Sequence, residues 1–552
     1  MNDSQRAMRT WRIVRGSVLI VSVLLVAVVI AAQPGSRVHD LLTARQLETP
    51  TFAHPPATLP AGETLSRIWH DIKEQSNTGG RFLKSLIPTE AGAIWLSIII
   101  AIVVGVDLSG KARGRNLEVG LLLIVGVLLF NVLRFFDFLN DPVYYRLMDW
   151  VFTGVVAASM ALFARAMWRV FNAADASWRP NLPLRTLQLL TLVLLLLNAL
   201  TVVIREPDDA GFYTNLGGQR LRERGMFPYG DRLITGSPAA AYGPVLFLAH
   251  VPFQWLLDPH GVNQESPNHA LMPDQKYYLP AMQASQLATL TFHLLGVAAL
   301  VFAVRRLAGD EVAWGLAALY CGSAYVLGVG GERELVNGLT FISHIAAPSL
   351  ALTAFALMLA SWPLLSGVFL ALSVATVFYP LFFVPAWIGY YWHRRPELYR
   401  FVGGMALAAI VVGGPVLAFS RELEGQGRLS TIVRETLGHH QSSAGYGPTP
   451  FGFWGGRDDI RGLLQDELIK GQAASTPMFM MVLAFAAYAF FPARRATPQQ
   501  LALLSACAAI LAVTWKILGT GVYVTWYYPF LLIGFFAHRP PAAERPAGEA
   551  QS

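Results

Sequence analysis

The residues able to do chemistry gather in a few polar stretches between apolar runs. Asp208 and Asp209 form an acidic pair immediately after the apolar run 186–204. A carboxylate there can accept a proton from a hydroxyl within about 3 Å, or it can cap a helix and meet its dipole. The same loop carries Tyr213, the basic series Arg220, Arg222 and Arg224, then Gly225-Met226-Phe227-Pro228-Tyr229, Tyr242-Gly243-Pro244 and Lys276. Arg333 and His344 flank the start of a later apolar run, and Lys516 interrupts another near its end. An ionisable residue in such a run is costly and marks a functional position by default; the alternative is snorkelling to the interface. His439 and His440 have no third or fourth ligand at metal-binding spacing, so no metal is expected.

These residues need a scaffold, and composition names its class. Of 552 residues, 54% are hydrophobic and 14% charged, against about a quarter charged in soluble domains. Apolar runs near 16–32, 91–108, 117–136, 148–166, 186–204, 284–304, 311–328, 342–360, 365–379, 381–393, 401–419, 476–492, 499–517 and 522–537 give about fourteen transmembrane helices at about 20 residues per crossing. The fold class is an all-α polytopic membrane protein. Arg6, Arg9, Arg12 and Arg15 precede the first run, which exceeds the roughly 7–15 residues of a signal-peptide core and reads as an uncleaved anchor. Stretch 245–257 is too short to cross and is expected to lie in the outer interface.

The net charge of +7 does not point to nucleic acid, because the arginines fall in short clusters between spans. With this span count, Arg6 to Arg15, Lys111/Arg113/Arg115, Arg165/Arg169/Arg179/Arg185, Arg305/Arg306, Arg394/Arg395/Arg400, Arg494/Arg495 and Arg539 alternate onto one side, expected to be cytoplasmic. Loops 33–90, 205–283 and 420–475 then face the other side. Cys321 and Cys507 sit in apolar runs and offer no disulfide framework.

The order of motifs in loop 205–283 resembles the GT-C glycosyltransferases, multi-spanning enzymes that use polyprenyl-phosphate-linked sugars, of mannosyltransferase-like type. Asp208/Asp209, Gly225 to Tyr229 and Tyr242-Gly243-Pro244 stand at the matching positions, and the likeness runs over 186–538 to Trp526-Tyr527-Tyr528-Pro529. Gly243 replaces a proline frequent in the family, and four spans precede the core, whereas in the family the acidic loop usually follows the first span. The resemblance implies a GT-C-like core over 186–538 and leaves unexplained the four-helix region with its external loop 33–90 over 1–185, whereas the Pro/Ala/Glu-rich composition of 539–552 is that of a disordered cytoplasmic tail. It implies an inverting glycosyltransferase of the inner (plasma) membrane with an extracytoplasmic active site, a polyprenyl-phosphate-sugar donor, a glycan or glycolipid acceptor, and no cofactor. Asp209 is the expected base, with Asp208 beside it. Arg220, Arg224, Lys276, Arg333, His344 and Lys516 are the expected ligands of the donor phosphate, since charge gathers on the departing phosphate. Tyr213, Tyr229, Tyr242, Trp454 and Tyr527 are the expected substrate contacts, Trp454 within a Pro/Gly/aromatic run suited to stacking on sugar rings. A transporter or flippase of a lipid-linked or polar solute is the alternative, and a non-catalytic assembly component a third.

Overall fold

The computed structural model describes residues 90–106, 116–125, 142–172, 178–205, 207, 209–231, 238–257, 279–328, 338–423, 425–438, 472–515 and 523–538. Their regular secondary structure is entirely helical. The main helices are α1 (Glu90–Ile100), α2 (Asn116–Val125), α3 (Pro142–Phe171), α4 (Leu184–Ile204), α5 (Asp209–Arg224), α6 (Pro244–Leu257), α7 (Leu279–Ala308) and α8 (Asp310–Cys321). They continue with α9 (Ile342–Leu359), α10 (Pro363–Val377), α11 (Val384–Tyr391), α12 (Arg395–Phe419), α13 (Gln472–Ala493), α14 (Pro498–Trp515) and α15 (Tyr528–Phe536).

Among the described residues, six helices are long and apolar enough to cross a membrane: 154–171 within α3, α4, 283–308 within α7, α9, α12 and α14. Other expected spans are shorter or broken. The run 311–328 stops at Gly322 and resumes for one turn at Ala324–Leu327. The separate runs 365–379 and 381–393 appear as α10 and α11, parted by Phe378, whose φ of 63° is left-handed, and a 3₁₀ turn at Tyr379–Phe383. Run 522–537 divides into a 3₁₀ turn, Tyr523–Trp526, and α15. The first run, 16–32, and the tail 539–552 lie outside the described residues.

One buried apolar cluster joins helices from both sides of residue 185. Gln500 Nε2 donates to the Val170 carbonyl (2.7 Å), the Ser159 and Tyr527 hydroxyls share a hydrogen bond (3.0 Å), and Phe163 meets Phe485 edge-on. The N-terminal region is thus packed into the core. Central α9 is buried on nearly every side, whereas α12 buries a single stripe, Leu398, Phe401, Gly404, Ala408, Val412 and Val416. That spacing of three or four marks a peripheral helix, and its outward residues Leu407, Ile410 and Val411 are exposed and apolar, as a lipid-facing surface requires.

Two glycines set the closest helix contact. A Cβ on Gly404 of α12 would overlap the Leu364 carbonyl of α10, and one on Gly367 would overlap the Phe401 carbonyl. The neighbouring Gly403 faces open space. Gly404→Val is expected to cost about 1–3 kcal/mol by forcing the helices apart, whereas Gly403→Ala holds or gains about 0.5–1 kcal/mol because alanine favours the helix. Thermal unfolding in detergent checks the contrast; equal midpoints for the two variants would refute the contact.

The basic clusters gather at one end of the bundle. Arg165 and Arg169 lie near the end of α3, whose Val170 carbonyl meets Gln500 at the start of α14. Gln499 reaches the Ala537 carbonyl just beyond α15, Trp178 packs on Phe536, and Pro180 and Trp178 pack on Gly315 of α8. Arg305 pairs with Asp310, Arg306 reaches the carbonyl closing α9, and Arg494 lies over Trp392. The start of α5 at Asp209 and the turns that follow that helix lie at the opposite end, one helix length away; α7 alone measures about 45 Å at 1.5 Å per residue.

Candidate functional site

The site is assembled where α4 ends and α7 begins. The amide of Gln286 donates to the carbonyls of Val203 (3.2 Å) and Arg205 (2.8 Å), satisfying backbone acceptors left open where α4 stops. Helix α5 starts at Asp209. Its first turn lies so close to α7 that a side chain on Gly211 would meet Ser285 and Pro207. Farther along, Gly217 and Gly218 admit Phe247 and His250 of α6. Gln254 Nε2 fixes the same pair of helices through the Asn215 carbonyl and side chain (2.8 and 2.9 Å). Helix α6 has 14 residues, with Phe247, His250 and Gln254 buried and Trp255 and Leu256 exposed, which suits an interfacial helix.

Gly225 (φ 62°) ends α5, its N–H returning to the Leu221 carbonyl, as a left-handed glycine after the last turn commonly does. The chain then turns inward. Phe227 N–H donates to Phe419 O and Arg421 N–H to Tyr229 O, both at 3.0 Å. Gly230 (φ 73°) is packed against the Arg421 carbonyl, and its N–H donates to Glu435 Oε2 at 2.8 Å. The Tyr229 hydroxyl donates to the Tyr242 carbonyl at 2.7 Å, and Gly243 N–H donates to Thr376 O at 2.7 Å, with Gly243 too close to Ala375 and Thr376 for any side chain. The two turns and α5 therefore form one cap on the bundle. Burial, with Glu435 nearby, pushes the Tyr229 phenol well above its ordinary range and keeps it a donor. Tyr229→Phe is expected to cost about 1 kcal/mol and to speed proteolytic cutting in 225–243 while helix content persists; unchanged proteolysis would show that the cap does not need this bond.

The structure separates some expected site residues and joins others. Asp209 begins α5, whereas Arg220 lies 11 positions on, about 16 Å along the helix axis. Arg224 is exposed at the far end of α5. Arg220 is buried and ion-paired with buried Asp231 at 3.7 Å, and its Nε and Nη2 donate to no acceptor among the described residues. Burial and Arg224 lower its pKa, with Asp231 and Glu223 opposing them. Tyr213 is partly buried beside Phe212, and Tyr242 is half-buried. Tyr229 is 1% exposed and braces the turn from inside. Tyr527 is fully buried, its hydroxyl on Ser159. His344 is buried among Phe341, Tyr523 and Trp526, and Trp526 stacks on Tyr379 at 4.1 Å and donates to Ser343 O. Asp208, Lys276, Arg333, Trp454 and Lys516 lie outside the described residues, and the side chain of Asp209 is likewise not described.

Four polar residues emerge that the sequence reading passed over. Asp231 holds Arg220, and Glu435 clasps Gly230 from a distant segment. Asn198 of α4 and His293 of α7 are fully buried in mid-bundle, with Asn198 Nδ2 and His293 Nε2 3.1 Å apart. An amide and an imidazole inside apolar runs were the available signal for that pair. Cys321 and Cys507 are buried free thiols. Neither a family model, nor a curated protein, nor a solved structure matches this chain.

Proposed function

We propose that the protein is a membrane glycosyltransferase that moves a sugar from a polyprenyl-phosphate donor to an acceptor hydroxyl at the extracytoplasmic face, on a GT-C-like arrangement of about fourteen spans. One observation carries this reading. The three motifs that resemble the family, α5 starting at Asp209, the Gly225 to Tyr229 turn and the Tyr242-Gly243-Pro244 turn, are locked into one cap by the Tyr229 to Tyr242 bond, at the end opposite the arginine clusters. Arginine-rich ends face the cytoplasm, which would set the cap outside.

In the proposed reaction the acceptor hydroxyl attacks the anomeric carbon, Asp209 takes its proton, and the bond to the lipid phosphate breaks with both electrons leaving on phosphate. The departing phosphate needs donors within a few ångströms of the sugar carbon. The pairing of Arg220 with Asp231 and the exposure of Arg224 at the far end of α5 favour Lys276, Arg333, His344 and Lys516 in that role. Arg220 instead acts as a brace through Asp231. The acceptor is proposed to be a glycan or glycolipid.

A transporter or flippase is the second reading, favoured by the buried Asn198–His293 pair, since polar groups in mid-bilayer mark solute pathways. Incubating the purified protein with a panel of radiolabelled polyprenyl-phosphate sugars and glycan acceptors decides between them. Transfer of label supports the enzyme; no transfer with any donor, together with lipid scrambling in proteoliposomes, would favour the transporter.

A further inference from the structure

Two turns meet at one corner of the basic end: 392–395, between α11 and α12, and 494–497, between α13 and α14. Gly389 lets α11 touch the Phe490 carbonyl and Ala493 of α13, and Trp392 packs edge-on against Phe490 at 5.1 Å. The Arg395 guanidinium lies 4.2 Å from the Trp392 ring centroid, and Arg494 approaches the same ring at 6.0 Å.

This corner carries an excess of guanidinium: among the described residues, of its arginines only Arg394 has a carboxylate partner, Glu397. Arg165 and Arg169 share Glu118, Arg305 has Asp310, and Arg394 has Glu397. Arg395, Arg400, Arg494 and Arg495 have no carboxylate partner among the described residues, and Arg494 Nε is buried without a hydrogen-bond acceptor. A guanidinium resting on an indole is attracted through its face. Its N–H donors point outward in the ring plane, in the fork geometry that fits phosphate. The tryptophan thus pre-orients two forks at the height where an apolar bundle meets water.

We propose that this corner binds the phosphate headgroup of an anionic phospholipid, with Arg395 and Arg494 as its ligands and Trp392 as the platform that orients them. The site is separate from the cap and does not depend on the proposed transfer reaction. The occupant is a membrane lipid because the corner flanks lipid-facing helices: Val402 of α12 and Phe491 of α13 are exposed and apolar close by.

Native mass spectrometry of the full chain in neutral detergent, titrated with phosphatidylglycerol or phosphatidylcholine, tests this. Each arginine at a membrane surface contributes roughly fivefold to anionic-lipid affinity. Arg395→Gln with Arg494→Gln is therefore expected to weaken phosphatidylglycerol roughly twenty-fold and leave phosphatidylcholine unchanged. Trp392→Leu keeps every charge yet is expected to weaken phosphatidylglycerol severalfold, which general surface charge cannot explain. Equal wild-type affinity for the two lipids would overturn the proposal. So would an equal loss in the control pair Arg179→Gln with Arg185→Gln, which removes two exposed arginines elsewhere at the same end.

Discussion

Asp209→Asn is expected to lower sugar transfer by about 10²–10⁴-fold, the range that a general base contributes, with donor KM little changed. The substitution is chosen for what it preserves. Asparagine keeps the size of aspartate and an acceptor oxygen for the open N–H groups of the first turn, so α5, which begins at this residue, keeps its start. The loss then reports acid–base chemistry and not a frayed helix. Asp208→Asn is expected to cost less, since adjacent helical positions point about 100° apart and only one can meet the acceptor. The measurement is initial-rate transfer on protein whose monodispersity matches wild type. Full activity in the double variant would place the base elsewhere.

Glu118→Ala is expected to destabilise the fold by about 3–5 kcal/mol, the cost of removing one partner from a buried ion pair. Glu118 is fully buried, and its Oε1 accepts from Arg165 Nε at 3.0 Å and Arg169 Nε at 2.7 Å. The arginines are four positions apart on α3, so without the carboxylate two positive charges face each other with little water to screen them. This one residue ties α2 to α3. The exposed Arg394–Glu397 pair offers the internal comparison: removing Glu397 is expected to cost about 0–1 kcal/mol. Replacing Glu118, Arg165 and Arg169 together by leucine should restore much of the loss, because apolar groups of similar volume carry no desolvation cost. Thermal unfolding in detergent reads all three, and a Glu118→Ala midpoint within error of wild type would remove the ion pair from the stability argument.

The long helices were legible because bilayer-length apolar runs allow little else. The runs 186–204 and 342–360 match α4 and α9 within two residues. The division of 365–379 from 381–393 was legible too, because Pro380 cannot continue a helix, and α10 and α11 follow it. The break in 311–328 was not legible, because it depends on local backbone conformation and not on a helix-breaking proline. At the candidate site the motif order was visible, but commitment of side chains was not. Arg220 reads in sequence as an anion ligand; only tertiary packing reveals Asp231 against it. Tyr229 and Tyr527 read as aromatics available to substrate, yet each spends its hydroxyl inside the protein. Periodicity says which face of a helix is apolar and is silent on which polar tip already has a partner.

The clasp between Gly230 and Glu435 joins residues 205 positions apart. A ribosome adding about 5–20 residues per second needs roughly 10–40 s to travel that far. During that interval the stretch after α5 has emerged, but α12 and the segment beyond it, which exchange backbone hydrogen bonds with it, have not been made. The cap must therefore be among the last parts to close, and nascent chains stalled before Phe419 should leave it open to protease while the earlier helices are already inserted.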